Sequence, residues 1–363
     1  MDGSHGRHGV KILNFNKDRM LTVEYVPMNF YDAIFIRFTD VEGNVHNIIV
    51  DGGEFKQRKY CYVDRIKEKL DDIFKRGESI DLWIVTHIDN DHIGGLYHFI
   101  NDNDFFETNC CKLKEVWMNY GGKGDYEVHR TGTIGYHDGK ELRDLLNEKH
   151  VCVKQGVLAG YTVTLFDAII TVVAPDESAM KGYIEWWNKK EFKNAVQTAD
   201  GLIKGGEWDY DKKFKDFNLE QYDEDSEVKN NSSIAFVLSY HDHHLLFAAD
   251  SCSSILMNGL KNTFMKKDGS MKFDLMHIPH HGSSRNTSTS FLSNIDCPKY
   301  VITGDGANRY QLPDKETIAR LISANPSGCE LHFTQMNSKL KEIFANDDSG
   351  KLKVIGEANF TFE

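Results

Sequence analysis

The chain has 363 residues, of which 40% are hydrophobic and 27% charged, and its formal net charge is −12. This balance is typical of a globular protein with about two domains or one large one, and its acidity argues against a general electrostatic affinity for nucleic acid. No apolar run approaches the roughly 18 residues of a membrane-spanning helix.

The cysteines and the N-terminus indicate the compartment. There are seven cysteines, an odd number without a C-x-x-C pair, which favours reduced thiols in a cytoplasmic protein over a disulfide framework. Residues 1–19 contain glycine, histidine and arginine but no hydrophobic segment. We interpret them as a flexible leader and not a secretory signal, and we expect residues 20–363 to form a single domain.

Strand and helix patterns alternate along most of this domain. Apolar residues at helical spacing predict a helix from about Tyr60 to Lys75, and another short helix is expected near Glu141 to Lys149, after a glycine-rich stretch at 121–139. The predicted strands before residue 175 are Leu21–Val26, Ala33–Phe38, Asn47–Val50, Leu82–Val85, Glu115–Met118, Tyr161–Phe166 and Ile169–Ala174.

Residues 177–229 interrupt this alternation, and we interpret them as an insertion that serves as a lid, a partner surface or a mobile loop. An acidic run at 223–227 follows a group of aromatic and basic residues. These residues are Trp186, Trp187, Lys189, Lys190 and Lys193. They either stack bases and bind phosphates of a single strand, or they belong to an amphipathic surface helix. After the insertion, a hairpin and three β–α units extend to about Gln335.

The most informative motif follows the apolar strand Leu82–Val85. Two imidazoles and two carboxylates lie there within six residues, at His87, Asp89, Asp91 and His92. Ligands at the junction of a strand and a helix are held on a rigid edge, where they can converge on two metal ions. The alternative is a solvated acidic turn with incidental histidines, and the H-x-D-x-D-H spacing argues against it.

Two later segments have the same character. Asp250 follows the predicted strand Leu245–Ala249, and the pair His280-His281 follows an apolar segment that ends at Ile278. Taken singly, a strand-terminal aspartate is more typical of a helix N-cap, and a histidine pair of an exposed surface. Their order behind the first motif favours one shared site.

Together these motifs resemble the metallo-β-lactamase fold. The ordered set comprises Asp51-Gly52-Gly53, Thr86–Gly95, Asn231–Ile234, Asp250 and Pro279–Ser283. It is more narrowly similar to the hydrolase domain of ComEC-type DNA-uptake proteins and their stand-alone relatives, as is the later segment Val301–Pro313. The resemblance covers about residues 20–335, without the membrane channel of the uptake proteins. It implies an α/β protein, an αββα sandwich with metals in a groove at one edge of the paired sheets.

The resemblance also implies roles for individual residues. Six of them would bind two divalent ions, namely His87 and Asp89 for the first, Asp91, His92 and His281 for the second, and Asp250 as the bridge between both. Asp51 would orient these ligands from behind. His280 would face the substrate and take part in catalysis with Asp250 and Asp91.

Two departures from the superfamily pattern bear on the metals. Asp89 stands where a histidine is usual, and oxygen ligands shift the preference from zinc towards manganese or magnesium. The usual third histidine after the strand Ile169–Ala174 is missing, so Asp176, Asn231 or a water would complete the first metal. We therefore expect two divalent ions, manganese or zinc, with magnesium as an alternative.

The favoured function is a metal-dependent phosphodiesterase, above all a nuclease, that uses a water activated by two metals. One alternative is a hydrolase of a small ester or cyclic phosphodiester, which the net acidity suits. The other is an effector subunit of antiviral defence, active only with an ATPase-type regulatory partner, as the resemblance to stand-alone defence proteins implies. A phosphodiester or nucleic-acid substrate is expected, and no membrane contact.

Overall fold

Two mixed β-sheets face each other in the computed structural model, which describes residues 19–121, 136–192, 208–308, 310–345 and 347–363. The strands are β1 Leu21–Tyr25, β2 Ala33–Thr39, β3 Val45–Asp51, β4 Leu82–Val85, β5 Val116–Met118, β6 Val153–Lys154, β7 Thr162–Leu165, β8 Ala168–Ala174, β9 Ala235–Tyr240, β10 His243–Phe247, β11 Met271–Lys272, β12 Leu275–His277, β13 Ile295–Asp296, β14 Lys299–Ile302, β15 Glu330–Phe333, β16 Lys353–Ile355 and β17 Asn359–Phe362. The predicted leader lies, apart from Arg19, outside the described residues.

The order of the strands combines parallel and antiparallel pairing. The first sheet has seven strands in the order β17-β1-β2-β3-β4-β5-β6, and the second has eight in the order β16-β15-β14-β12-β10-β9-β8-β7. Strands β3, β4 and β5 run parallel to one another, as do β10, β12 and β14. The C-terminal strand β17 pairs with β1, with Phe362 opposite Leu21, and so extends the first sheet beyond the part that the motifs predict.

Helices cover the outer faces of both sheets. They are α1 Lys67–Lys75, α2 Gly94–Asn101, α3 Asn103–Asn109, α4 Tyr136–Glu148, α5 Glu177–Phe192, α6 Val228–Asn231, α7 Ser253–Phe264, α8 Thr289–Leu292, α9 Lys315–Ala324 and α10 Ser338–Phe344. A π-helical stretch, Arg58–Ile66, leads into α1. None of the helices in the described ranges is long and apolar enough to cross a membrane.

Apolar side chains form three layers. Residues such as Trp117 and Phe236 fill the space between the two sheets. Trp83 and Phe99 belong to the layer between the first sheet and its helices, and Leu256 to the layer on the second sheet. Burial of one such side chain stabilises the fold by roughly 1.5–3 kcal/mol. The layers confirm the predicted α/β architecture, an αββα sandwich.

Two local predictions need correction. Helix α4 begins at Tyr136 and not near Glu141, so it takes up the end of the predicted glycine-rich stretch. Trp187 is fully buried in the layer on the first sheet, and a Cβ on Gly121 would lie 2.6 Å from its Cγ atom. Because its ring packs in the core, Trp187 cannot stack nucleic-acid bases, and α5 is the amphipathic helix of the alternative interpretation. Lys193 lies outside the described residues.

The carboxyl ends of parallel strands place the predicted site residues at one edge of the sandwich. Asp51 ends β3, His87 follows β4, and Asp250 and His280 follow β10 and β12. The backbone N–H of Ile234, just before β9, donates to the Thr86 carbonyl at 2.8 Å and joins the two sheets there. The edge where both sheets meet therefore brings together the residues that the motifs predict for the site.

Candidate metal centre

Glycines bring the first two motifs into backbone contact. A Cβ on Gly52 would lie 2.7 Å from the Cα of Gly95, and one on Gly94 would lie 2.3 Å from the carbonyl oxygen of Glu54. The Gly94 N–H donates to the Gly53 carbonyl at 2.8 Å. Any side chain at Gly52 or Gly95 would push the two loops apart, so the glycines are needed to bring Asp51 close to the histidine motif.

Five side chains from three loops meet at this edge, and we call them the central cluster: His87, Asp91, His92, Asp250 and His281. The Nε2 atoms of His87 and His92 lie 3.4 and 3.7 Å from Oδ2 of Asp250. The Nε2 atom of His281 lies 3.2 Å from Oδ2 of Asp91, whose Oδ1 is 3.8 Å from Nε2 of His92. In the groups His87–His92–Asp250 and Asp91–His92–His281, the candidate ligand atoms lie within 4.8 Å of one another.

Unsatisfied atoms show that these residues fit a divalent metal. The Nε2 atoms of His87, His92 and His281 and the Oδ1 atom of Asp250 are buried and make no hydrogen bond. Each buried polar atom without a partner costs about 1–3 kcal/mol, so several of them facing one another call for a ligand. Imidazoles and carboxylates are ligands of zinc and manganese.

The opposite nitrogen of each histidine ring is held in place. Nδ1 of His92 lies 2.8 Å from Oδ2 of Asp51, and Nδ1 of His281 lies 2.9 Å from Oγ1 of Thr303. Asp51 also accepts hydrogen bonds from the N–H and the hydroxyl of Thr86, at 2.8 and 2.7 Å. A partner on Nδ1 fixes the ring and leaves Nε2 directed into the cluster. Asp51 thus lies where its predicted orienting role requires it.

Burial and charge act against each other on the ionisation of the cluster. Burial alone would raise the pKa of Asp250, but the imidazoles of His280 and His87 outweigh it and hold that pKa well below its usual range. Burial lowers the pKa of His281, but the Asp32 carboxylate outweighs it and raises the pKa to about 10. In the metal-free protein the carboxylates are charged and His281 holds a proton, so a metal must displace protons when it binds.

The backbone around the cluster is strained. Asp51, Ala249, His280 and His281 have φ angles of 57°, 47°, 49° and 54°, in the left-handed region. Residues other than glycine are destabilised there by roughly 1–2 kcal/mol each. Such strain persists where the surrounding structure fixes a residue for function, and here all four residues lie at the strand ends that carry the cluster.

Asp89 lies apart from the central cluster. Its Oδ1 atom accepts from Nζ of Lys229 in α6 at 2.7 Å, and we call these two residues the rim pair. Among the described residues, Asp89 is in none of the groups whose atoms could close on a metal ion. Burial lowers the pKa of Lys229, but Asp89 outweighs it and raises the pKa above its usual value, so the side chain is an ammonium.

His280 faces the same carboxylate as the cluster, with its Nε2 atom 3.6 Å from Oδ2 of Asp250. Its Nδ1 atom lies 2.9 Å from Oδ1 of Asn286, whose amide donates to the Asp250 carbonyl at 2.9 Å and to Asp225 at 3.3 Å. The amide orientation assigned by these bonds places a proton on Nδ1 of His280, which donates to Oδ1 of Asn286. The Nε2 atom is an acceptor when the ring is neutral and a donor when the ring is charged.

The residues predicted to complete the first metal have other partners. Oδ1 of Asp176 accepts from the backbone N–H of Ala179 at 2.8 Å, as a cap at the start of α5. The amide nitrogen of Asn231 donates to the Asp225 carbonyl at 3.1 Å, while its Oδ1 atom is buried without a partner. Among the described histidine, cysteine and acidic residues, Asp176 and Asp89 share no group whose atoms could close on a metal ion.

Sequence reasoning missed several residues that contact the site. Asp32 is buried, with carboxylate oxygens 3.4 Å from Nδ1 of His281 and 3.7 Å from Nε2 of His277. Thr303 follows β14, so its strand-end position was a usable signal, like that of Asp250. Asp32 precedes its strand and Lys229 lies in a helix of only four residues, so neither position carries such a signal.

Comparison with known proteins identifies the family. The model of the Metallo-beta-lactamase superfamily matches residues 32–304. No curated protein matches the sequence. Among solved structures, the metallo-beta-lactamase fold protein YhfI from Bacillus subtilis is 11% identical, with a TM-score of 0.41 over 95% of this chain and 99% of its own.

Two further structures are similarly distant. A diphosphatase of the PhnP family is 10% identical, with a TM-score of 0.40 over 95% of this chain and 97% of its own. The long form of RNase Z from yeast is 14% identical, with a TM-score of 0.33 over 93% of this chain and 36% of its own. Identities this low leave the substrate to be inferred from the site itself.

Proposed function

The chain belongs to the metallo-β-lactamase superfamily of metal-dependent hydrolases, and from that membership we propose that it hydrolyses phosphodiesters, with a nuclease as the favoured form. The observation that carries the proposal is the convergence of the unpartnered Nε2 atoms of His87 and His92 on the Asp250 carboxylate, with the unpartnered Nε2 atom of His281 beside Asp91. This mixed nitrogen and oxygen donor set suits the metals that activate water for hydrolysis.

The central cluster would hold the metal, which when bound supplies a Lewis acid and a water that is acidic near neutral pH. Asp51 and Thr303 keep the rings of His92 and His281 in position for it. His280 would meet the substrate, because its side chain is 12% exposed and its Nε2 atom faces Asp250. As a neutral ring it accepts a hydrogen bond there, and as a charged ring it would protonate a leaving oxygen.

Charges near the site support an anionic substrate. Lys229 places an ammonium at the rim with a side chain that is 15% exposed. Removal of a phosphate from water is favoured by such a cation at a site that already contains a divalent metal. A phosphodiester carries a negative charge that both the metal and the ammonium would bind. A β-lactam or a thioester does not need the second positive group.

A small phosphodiester is the second candidate, and one contact favours it. Arg285, in the loop after His280, lies 3.5 Å from Asp223 and 3.8 Å from Asp225, so carboxylates offset its charge. Together with the net charge of −12, this reduces attraction for a long polyanion more than for a short substrate.

The test is hydrolysis of single- and double-stranded DNA and RNA and of a small chromogenic phosphodiester by the purified protein in Mn²⁺. Asp250→Ala is the control for a contaminating nuclease. We expect polymer cleavage by the wild type alone. Cleavage of the small substrate alone would favour the second candidate. A metal-loaded wild type that cleaves none of them would contradict activity in isolation and point to the partner-dependent alternative.

A further inference from the structure

The rim pair lies where the resemblance expects a first metal ion. That ion would need Asp89, together with His87 and Asp250, but the Asp89 carboxylate is 2.7 Å from the Lys229 ammonium. The two side chains are similarly enclosed, at 16% and 15% exposed. The residues present therefore fit one ion in the central cluster and do not fit another beside Asp89.

The helix that carries Lys229 is anchored on both sides. Before it, Asp225 accepts from the Glu227 N–H at 3.1 Å and from the Asn230 amide at 2.8 Å, and its own N–H donates to the Arg285 carbonyl at 2.9 Å. After it, the Ile234 N–H donates to the Thr86 carbonyl at 2.8 Å, next to His87. The backbone of Lys229 is thus fixed against the metal motif itself.

The ammonium and a divalent ion would compete for Asp89. A lysine side chain is charged at neutral pH, and like charges a few ångströms apart repel strongly in a site that is mostly shielded from water. Asp176 does not replace Asp89 as a ligand, since its carboxylate caps α5, and Asp89 joins no metal-sized group of the described histidine, cysteine and acidic residues.

We propose that the Lys229 ammonium takes the place of the second cation beside Asp89, so that the chain binds a single divalent ion in the central cluster. The lysine then supplies the other positive charge at the site. Its use towards a phosphate oxygen rests on the proposed function, whereas the count of ions does not.

The pairing of Asp89 with Lys229 also changes which metal the site is expected to prefer. With Asp89 engaged by Lys229, the remaining donors are the imidazoles of His87, His92 and His281 and two carboxylates, a set richer in nitrogen than the resemblance implies. Nitrogen donors favour zinc over manganese or magnesium. The replacement of histidine by Asp89 in the motif therefore no longer argues for a hard metal.

The experiment counts bound metal. Purified protein is stripped with a chelator and titrated with Mn²⁺ by calorimetry, and the loaded protein is analysed for metal content and by electron paramagnetic resonance, which separates isolated ions from coupled pairs. We expect one isolated ion per wild-type chain. Asp89→Asn should leave that count at one, because Asp89 is not a ligand. Lys229→Met should raise it to two at saturating Mn²⁺, because Asp89 becomes free.

Two controls isolate the charge of Lys229. Lys229→Arg keeps a cation and should stay at one ion. Lys67→Met removes the ammonium of a different ion pair, 2.6 Å from Asp102, and should also stay at one. Two coupled ions in the wild type, or a count of one in Lys229→Met, would overturn the inference while leaving the proposed function intact. No bound ion in the wild type would contradict both.

Discussion

The central cluster and the rim pair both include residues of the H-x-D-x-D-H motif but are built differently. In the cluster, His87 and His92 are fully buried, Asp250 and His281 are 3% exposed and Asp91 is 19% exposed, and each lies after a strand end or in a loop fixed by glycines. Asp89, only two positions after His87, is 16% exposed and contacts a lysine from a helix of four residues. The cluster is fixed by the sheets, and the rim pair by one charged contact.

Under our proposal, this difference separates the metal ligands of the motif from Asp89. In the cluster, the histidine rings are held through Nδ1 and their Nε2 atoms lack partners. In the rim pair, the Asp89 carboxylate already has a cation. An unpaired buried donor set needs an ion, whereas a neutralised carboxylate does not.

Removal of the shared carboxylate should have the largest effect. Asp250→Ala deletes the group that faces His87, His92 and His280. We expect metal affinity to fall by more than about 100-fold, since changes behind the ligands already cost up to that much. Hydrolysis should be lost, and Asp91→Ala should behave alike.

The measurement is Mn²⁺ titration by calorimetry, with circular dichroism to check the fold. Asp102→Asn, which alters a surface ion-pair cluster with Lys67 and Arg58, is the matched control. Unchanged affinity in Asp250→Ala would contradict the central cluster as the metal site.

The partner behind the cluster should matter next. Asp51→Asn keeps the shape but weakens acceptance from Thr86 and from Nδ1 of His92. We expect metal affinity to fall by about 10–100-fold. Asp81→Asn is the control, because Asp81 also accepts a backbone N–H, from Asn47, at 3.0 Å, but far along β3 from the cluster. Equal effects of both changes on metal affinity would refute the orienting role of Asp51.

Two glycine-to-alanine substitutions, one beneath the cluster and one in α5, should change the stability of the protein in opposite directions. Gly95→Ala would place a Cβ 2.7 Å from the Gly52 carbonyl oxygen, so we expect a loss of about 1–3 kcal/mol in the free energy of unfolding. Gly182→Ala, in α5, meets nothing within 4 Å and should increase stability by up to about 1 kcal/mol. Urea unfolding of both variants tests this, and a Gly95→Ala protein as stable as the wild type would contradict the close packing.

The smallest expected effect is a pH dependence of the free energy of unfolding, caused by Asp209 in the segment that precedes Lys229. Burial raises the pKa of Asp209 from 3.8 to about 6, although it accepts hydrogen bonds from the N–H groups of Glu316 and Lys315 at the start of α9. Since the folded state binds this proton more tightly, the stabilisation is fully present below pH 3.8 and is lost as pH rises through 6.

Between pH 5 and pH 7 this loss amounts to about 1 kcal/mol. Asp209→Asn should remove it, so the difference in unfolding free energy between variant and wild type should change across this range. Urea unfolding at each pH measures it, with the exposed neighbour Asp211→Asn as control. Parallel pH profiles of wild type and Asp209→Asn would show that Asp209 titrates alike in both states.

Much of the fold and of the cluster could be predicted because their signals are local. Alternating β-rich runs and helical spacing indicated the α/β order, and polar residues directly after apolar runs marked His87, Asp250 and His281. Other features had no such signal. The burial of Trp187 depends on Gly121, and the pairing of β17 with β1 joins opposite ends of the domain.

Local sequence indicates which side chains stand at strand ends, because the run of apolar residues that makes a strand also fixes where it stops. Which of these side chains form ion pairs depends on how the two sheets pack. Asp89 and Lys229 are 140 residues apart in the chain, and Asp32 reaches His281 from the start of a strand in the other sheet. Electrostatic partners depend on distances of a few ångströms, which the packing of the two sheets sets and local sequence does not.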